Sequence, residues 1–334
     1  MQDNIIEIYK IIERMQNSKV IAYVTGDRKN METQIGSDVV DIFGRHLDKI
    51  QKTNKITLLL YTLGGDTMAT WNIVNLIREY CDELEIIVPR KARSSGTIMC
   101  LGANKIILTH QSTLGPIDPS LNSPLGIKVN INGQQIPLPT SVESVKGYFN
   151  LAKKELGIHN SRDLIQAFLK MSDTINPLLI GDVYRRQGQI KMIAKKLLVY
   201  QKCSRRQKKS LINFLCSDSG SHDYAINYME AKSLGLNVEL AKDELNELIN
   251  DWYYLICDEL KLNIPYNPVI ELAQSNSKEY NYKRVILDSV DYGREQFVSK
   301  GIIQKITIPI SQIGQPSQQI NDNRFFEGWE KDAE

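Results

Sequence analysis

Two short turns of small residues carry the clearest chemical signal in this chain of 334 residues. The first, Gly64-Gly65, ends the apolar run Ile56 to Leu60, and the second, Ser94-Ser95-Gly96, follows the apolar run Leu84 to Val88. Each turn feeds a segment that reads as a helix, so each presents backbone N–H groups that no helical carbonyl can satisfy. Two such donors aimed at one oxygen stabilise a tetrahedral oxyanion or an enolate, each worth ~3 kcal/mol in the transition state. The Gly65 and Ser95 N–H groups are the candidate donors. A hydroxyl held between a buried strand and a helix is placed to act as a nucleophile, which makes Ser94 the first candidate. Ser95 is the alternative, because sequence does not say which hydroxyl faces the cleft.

A serine nucleophile also needs a proton acceptor. The four histidines are His46, His110, His159 and His222, and none stands beside Ser94. His110 ends the strand after the Ser94 helix and is the nearest by topology. A desolvated lysine is the other route, since burial favours its neutral amine. Lys146 and Lys153 lie two turns apart on one predicted helix, while Lys154 faces elsewhere. Asp118, between Ile117 and Pro119, can orient a base or hold a polar substrate group. Each of these residues also has a plainer reading. Ser94 can be an N-cap, Gly64-Gly65 a loop device, His110 and the lysines solvent-facing groups, and Asp118 a loop anchor.

The elements that must position these residues follow from periodicity. Residues 54 to 119 read as strand, turn, helix, strand, turn, helix, strand and a Pro/Gly loop, an α/β core with its sites at the carboxyl ends of the strands. Before it come a helix over residues 3 to 17, a strand from Val20 to Val24, a polar loop, and a helix from Val39 to Leu47. After it, Gln111 to Pro119 reads as a rigid wall. Residues 120 to 140 read as an irregular excursion with an Asn-Gly hairpin. Helices are predicted from Val142 to Leu156, Asp163 to Met171 and Pro177 to Tyr200, the last one basic and read as a solvated or intersubunit face. Two short helices flank Gly220-Ser221-His222-Asp223, and an amphipathic helix spans residues 241 to 260. Lys283 to Val290 and Ile302 to Ile308 read as strands, and the Gln/Asn-rich tail beyond Ser311 as mobile. The expected division is an α/β domain at 1–205, a helical accessory region at 206–260, and a C-terminal extension at 261–334 with a β-hairpin and a mobile tail.

Composition excludes several classes. The formal net charge of +2 gives no bulk attraction for a polyanion, and nucleic acid is not an expected partner. No apolar run approaches 18 residues and no secretion signal is visible, so neither a membrane span nor export is expected. Five scattered cysteines suit a reducing, cytoplasmic setting. There is no HExxH, no close Cys/His pair and no carboxylate-rich loop, hence no expected metal. The Gly-Gly turn lacks both nucleotide-binding glycine patterns, hence no expected cofactor.

The stretches YTLGGDTMATWNIVNLI, KARSSGTIMCLGANKIIL and STLGPIDPSL together resemble the Clp-protease/crotonase superfamily. Within it they resemble the serine dehydrogenase proteinase family, relatives of signal-peptide peptidase A. The likeness spans about residues 18 to 200 and continues weakly through SGSHDY. It implies Ser94 as nucleophile, two residues before Gly96, with the Gly65 and Ser95 N–H groups as oxyanion hole. The Clp-type histidine has no counterpart in LGPIDP. Peptidase A relatives use a lysine about fifty residues beyond the serine, which brings Lys146 to that place. The resemblance implies a peptide or protein substrate and a homo-oligomeric ring, with any partner ATPase left open. Its alternatives are a catalytically silent peptide-binding ring and a crotonase-like acyl-thioester enzyme.

Overall fold

The computed structural model describes residues 2–117, 120–121, 128–131, 134–137, 140–219, 221–308 and 317–332. Its centre is a mixed sheet. Strands β1 (Lys19–Thr25), β2 (Thr53–Tyr61), β3 (Cys81–Val88) and β5 (Lys105–Leu108) run parallel in the order β5-β3-β2-β1, while β4 (Lys91–Ala92) and β6 (Thr113–Leu114) pair with each other above it. Right-handed crossovers through helices are what parallel neighbours require. Here they are α2 (Val39–Ile50) between β1 and β2, α3 (Thr67–Tyr80) between β2 and β3, and α4 (Ser95–Leu101) ahead of β5.

The strands are apolar along nearly their whole length because both faces of the sheet are covered. Ile21, Tyr23, Leu58 and Leu60 point to the layer holding α2, α3 and α4. Val20, Ala22, Val24 and Leu59 point the other way, against α1 (Gln2–Gln16) and the helix Asp243–Leu260. Strand β3 begins at Cys81 and not at Leu84, since Cys81 is buried and already in register with Thr53.

The C-terminal part departs from expectation. Ser277–Ser289 pairs antiparallel with β1, Gly293–Ile308 pairs with Ser277–Ser289, and Ser317–Lys331 closes that edge. Val238–Leu240 adds to the opposite edge beside β5, giving eight strands in one sheet. The main sheet therefore crosses both expected boundaries, at 205/206 and at 260/261. The tail expected to be mobile beyond Ser311 is a strand over Ser317–Lys331, and residues 309–316 lie outside the described residues. Polar composition misleads here because an antiparallel strand needs backbone partners more than apolar side chains. A buried network fastens this addition: Arg294 donates to Asp288 at 2.7 Å and to Glu259 at 2.7 Å, and the Trp252 indole donates to the Tyr9 hydroxyl at 3.0 Å.

The turn of the expected Asn-Gly hairpin, residues 132–133, lies outside the described residues, and Lys128–Ile131 and Gln134–Pro137 on either side of it pair antiparallel. Beyond it stands an arm of helices: Val142–Asn150 running into a π-turn at Leu151–Glu155, then Ser161–Ser172 and Pro177–Leu197.

Candidate active site

The Gly64-Gly65 and Ser94-Ser95-Gly96 turns touch. A Cβ added to Gly64 would lie 2.9 Å from Ser94 Cβ and 3.0 Å from Ser95 N, and Gly64 has φ +104, so both space and backbone call for glycine. The contact is held by the main chain. Thr62 N–H donates to Lys91 O at 3.1 Å and Arg93 N–H to Thr62 O at 3.0 Å. Ser95 adds a strut, its hydroxyl donating to Gly65 O at 2.7 Å while the residue is 1% exposed. On the outer side Ile35 N–H donates to Gly64 O and Asp66 N–H to Ile35 O, both at 2.8 Å, so the loop after β1 braces the Gly-Gly turn.

Most donors at the junction are spent. Gly64 N–H goes to Thr62 Oγ1 at 3.0 Å and Gly96 N–H to Arg93 O at 2.7 Å. Among the described residues, the Gly65 and Ser95 N–H groups have no acceptor. These are the two donors that the turn chemistry singled out.

Ser94 stands at the N-cap position of α4 without capping it through its side chain. Its side chain makes no capping hydrogen bond, and the residue sits half-buried at φ 48°, ψ −114°. A residue with a Cβ reaches that region only at a cost of ~1–3 kcal/mol, and such strain collects where a side chain must be aimed. The two serines thus differ: Ser95 is buried and committed to Gly65 O, whereas Ser94 has a strained backbone and an uncommitted hydroxyl.

The loop after β5 is stapled to the same place. The Thr97 hydroxyl lies 2.8 Å from both Ala92 O and Gly115 O and accepts from Gly115 N–H at 3.0 Å. Asp118, the expected orienting acid, lies outside the described residues. His110 is exposed at the tip of the Thr109–Ser112 turn. Lys146 is half-buried and donates to Ser217 Oγ at 2.8 Å, a hydroxyl that also accepts from the Gln187 amide at 3.2 Å.

Residues 214–219 and 221–226 are bonded to the loop after β5 and to Arg93, which sequence reasoning missed. Leu215 O accepts from Ile117 N–H at 2.8 Å, and Ile226 and Leu114 exchange hydrogen bonds at 2.9 and 3.0 Å. Arg93, the residue before Ser94, donates from Nη1 to Asp223 O at 3.2 Å and Tyr224 O at 3.0 Å. Desolvation holds this guanidinium below its ordinary value, though still charged. The chain neighbour of Asp223 is His222, exposed in the same loop. The weak likeness through SGSHDY was the available signal. It gave no distance to a serine 128 positions away.

No group of three or more His, Cys, Asp or Glu residues that could hold a metal occurs among the described residues. In the same set, no helix is long and apolar enough to cross a membrane.

Comparison with known proteins adds the family. Residues 6–132 match the model of the ClpP-like SDH-type serine proteinases. The protein MJ0137 of Methanocaldococcus jannaschii is 29% identical over 189 residues, covering 56% of this chain and 54% of that protein. The protein MJ1495 of the same organism is 21% identical over 238 residues, covering 68% of each. The chain thus matches about half the length of the first relative. Solved structures that resemble it include a variant of the 1510-N membrane-bound stomatin-specific protease (22% identity, 69% of this chain and 84% of that one, TM-score 0.35). Another is a ClpP1 variant from Listeria monocytogenes (10% identity, 72% and 99%, TM-score 0.37). The segment that carries both small-residue turns, residues 6–132, is thus the part of the chain that is similar to the ClpP-like SDH-type serine proteinase family.

Proposed function

We propose that this protein is a serine peptidase in which Ser94 attacks the scissile carbonyl and the Gly65 and Ser95 N–H groups receive the oxyanion. The observation that carries this reading is the contrast at the junction: a strained serine whose hydroxyl has no partner among the described residues, on a turn that touches the Gly64-Gly65 turn, with the Gly65 and Ser95 N–H groups lacking acceptors in the same set. Removal of one such donor lowers kcat by ~10²–10³ in comparable sites. The substrate on this reading is a peptide or protein, and the setting is cytoplasmic.

For the base we favour His222 over Lys146. The Arg93 guanidinium holds the carbonyls of Asp223 and Tyr224, which ties the histidine's loop to the chain neighbour of the nucleophile. Lys146 has the spacing expected of a lysine base, but it donates to Ser217 Oγ. In the proposed cycle the imidazole takes the Ser94 proton on attack and returns it to the leaving amine.

Labelling with a fluorophosphonate, followed by peptide mapping, tests the nucleophile. The tag is expected on Ser94 and absent from Ser94→Ala; retention of the tag in Ser94→Ala would falsify the assignment. The pH profile of kcat/KM tests the base. An imidazole gives an acid limb near its ordinary pKa of about 6.5, which His222→Ala abolishes and Lys146→Ala leaves in place. The opposite pattern returns the role to Lys146. Peptide binding without turnover in the folded wild type would support the silent-ring alternative, and coenzyme A binding the acyl-thioester one.

A further inference from the structure

The helix Ser161–Ser172 carries an apolar face that its own chain leaves bare. Met171 is its one buried residue, while Ile165 is 56% exposed, Phe168 40% and Leu169 51%, at the i, i+3, i+4 spacing that puts them side by side. Among the described residues its one ring contact is Phe168 stacked on Phe149 of the preceding helix, centroids 6.3 Å apart. A twelve-residue helix is marginal in water without tertiary cover. The arm it belongs to, residues 142–200, holds ten Lys and Arg against five Asp and Glu, a net of +5 in a chain of net +2.

The complementary surface is on the far side of the sheet. Helices α1 and Asp243–Leu260 leave between them a groove of about 460 Å³, with Ile8, Ile11 and Tyr254 in its apolar lining and Glu7, Asp251 and Asp258 among its acids. Residues 243–260 include six Asp and Glu and no Lys or Arg. Arg162 and Lys170 stand eight residues apart on the arm helix, about 12 Å along its axis, and Asp251 and Asp258 seven apart, about 10.5 Å. The arm joins the core through Ile190, Ile193 and Leu197 on one face of the sheet, and the groove helices cover the other, so a copy cannot fill its own groove.

We propose that the helix Ser161–Ser172 of one copy docks in the α1/243–260 groove of the next. Ile165 and Leu169 enter between Ile8, Ile11 and Tyr254, and Arg162 and Lys170 meet Asp251 and Asp258. Lys170 gives up an exposed contact with Asp173 at 3.6 Å, and Glu7 keeps or exchanges its exposed contact with Arg14 at 3.6 Å. The two surfaces are different patches of the same chain, so the contact is head-to-tail and repeats into a ring or an open filament. Recognition is of the helix-in-groove kind, and the inference does not depend on the serine chemistry.

Sedimentation of the full chain at micromolar concentration tests this with two variants. The arm variant carries Ile165→Glu and Leu169→Glu, and the groove variant Asp251→Lys and Asp258→Lys. Circular dichroism and urea midpoints report that each still folds. Wild type is expected as an oligomer and each variant alone as a monomer. An equimolar mixture is expected to form a two-chain complex and nothing larger, because only one sound arm and one sound groove remain per pair. A monomeric wild type, oligomeric variants, or a mixture that stays monomeric would each overturn the proposal, the last pointing to arm-to-arm contact. Flotation of a monomeric wild type on phosphatidylserine vesicles, lost in the arm variant, would overturn it in favour of a membrane surface.

Discussion

Replacing Ser94 by glycine is expected to stabilise the fold relative to alanine, the reverse of the ordinary order. Both substitutions remove the hydroxyl, which caps no helix N–H, so the difference between them isolates the backbone. At φ 48°, ψ −114° a Cβ costs ~1–3 kcal/mol, which glycine does not incur. Against this, glycine gives up ~0.5–1 kcal/mol through the greater freedom of its unfolded chain. The balance favours Ser94→Gly over Ser94→Ala by about 0.5–2 kcal/mol, where an unstrained position favours alanine. Equilibrium urea unfolding of the two variants at neutral pH reads this directly, provided their m-values agree. Both are expected to lack fluorophosphonate labelling. If alanine is as stable as glycine or more so, the strained elbow is not a property of the molecule. Ser94 would then not be held in place by its backbone for chemistry.

Burial pulls His46 down to about 3, with its Nδ1 2.8 Å from Ser289 Oγ and its Nε2 buried without a partner. Because the folded value is depressed, the stability is present above the unfolded value of about 6.5 and is lost as pH falls toward 3, by about 2 kcal/mol at pH 5. Urea titrations across that window should show the loss in wild type and a flatter slope in His46→Asn. Thr97→Val keeps the shape but strips the hydroxyl from between Ala92 O, Gly115 O and Gly115 N–H, at a cost of ~1–3 kcal/mol. Its turnover should fall more than its substrate binding, measured as kcat against KM. Of the five cysteines, Cys81, Cys100, Cys216 and Cys257 are buried and Cys203 is partly exposed. Ellman's reagent should therefore modify one thiol quickly in the native protein and all five in denaturant, and a second fast thiol would contradict the packing.

Sequence alone determined what depends on neighbours along the chain. The apolar runs Ile56 to Leu60 and Leu84 to Val88 fit strands buried on both faces, and the small residues that end them fit turns, as the sheet pairing bears out. The same alternation singled out Ser94, Gly65 and Ser95 as candidates, and the Asn-Gly dipeptide a hairpin whose flanking strands pair. Contacts between distant segments were decided by the tertiary structure. Which serine keeps a free hydroxyl depended on Ser95 reaching Gly65 O across 30 positions. The loop that holds His222 is gripped by Arg93 across 130 positions, and Lys146 was drawn to Ser217, 71 positions on. The Gln- and Asn-rich tail joined the sheet because Gly293–Ile308 offered it a row of unpaired backbone groups. Side-chain periodicity reports burial and local geometry. It is silent about which backbone edge or carbonyl another segment will find, because those pairings are fixed only when the chain has closed on itself.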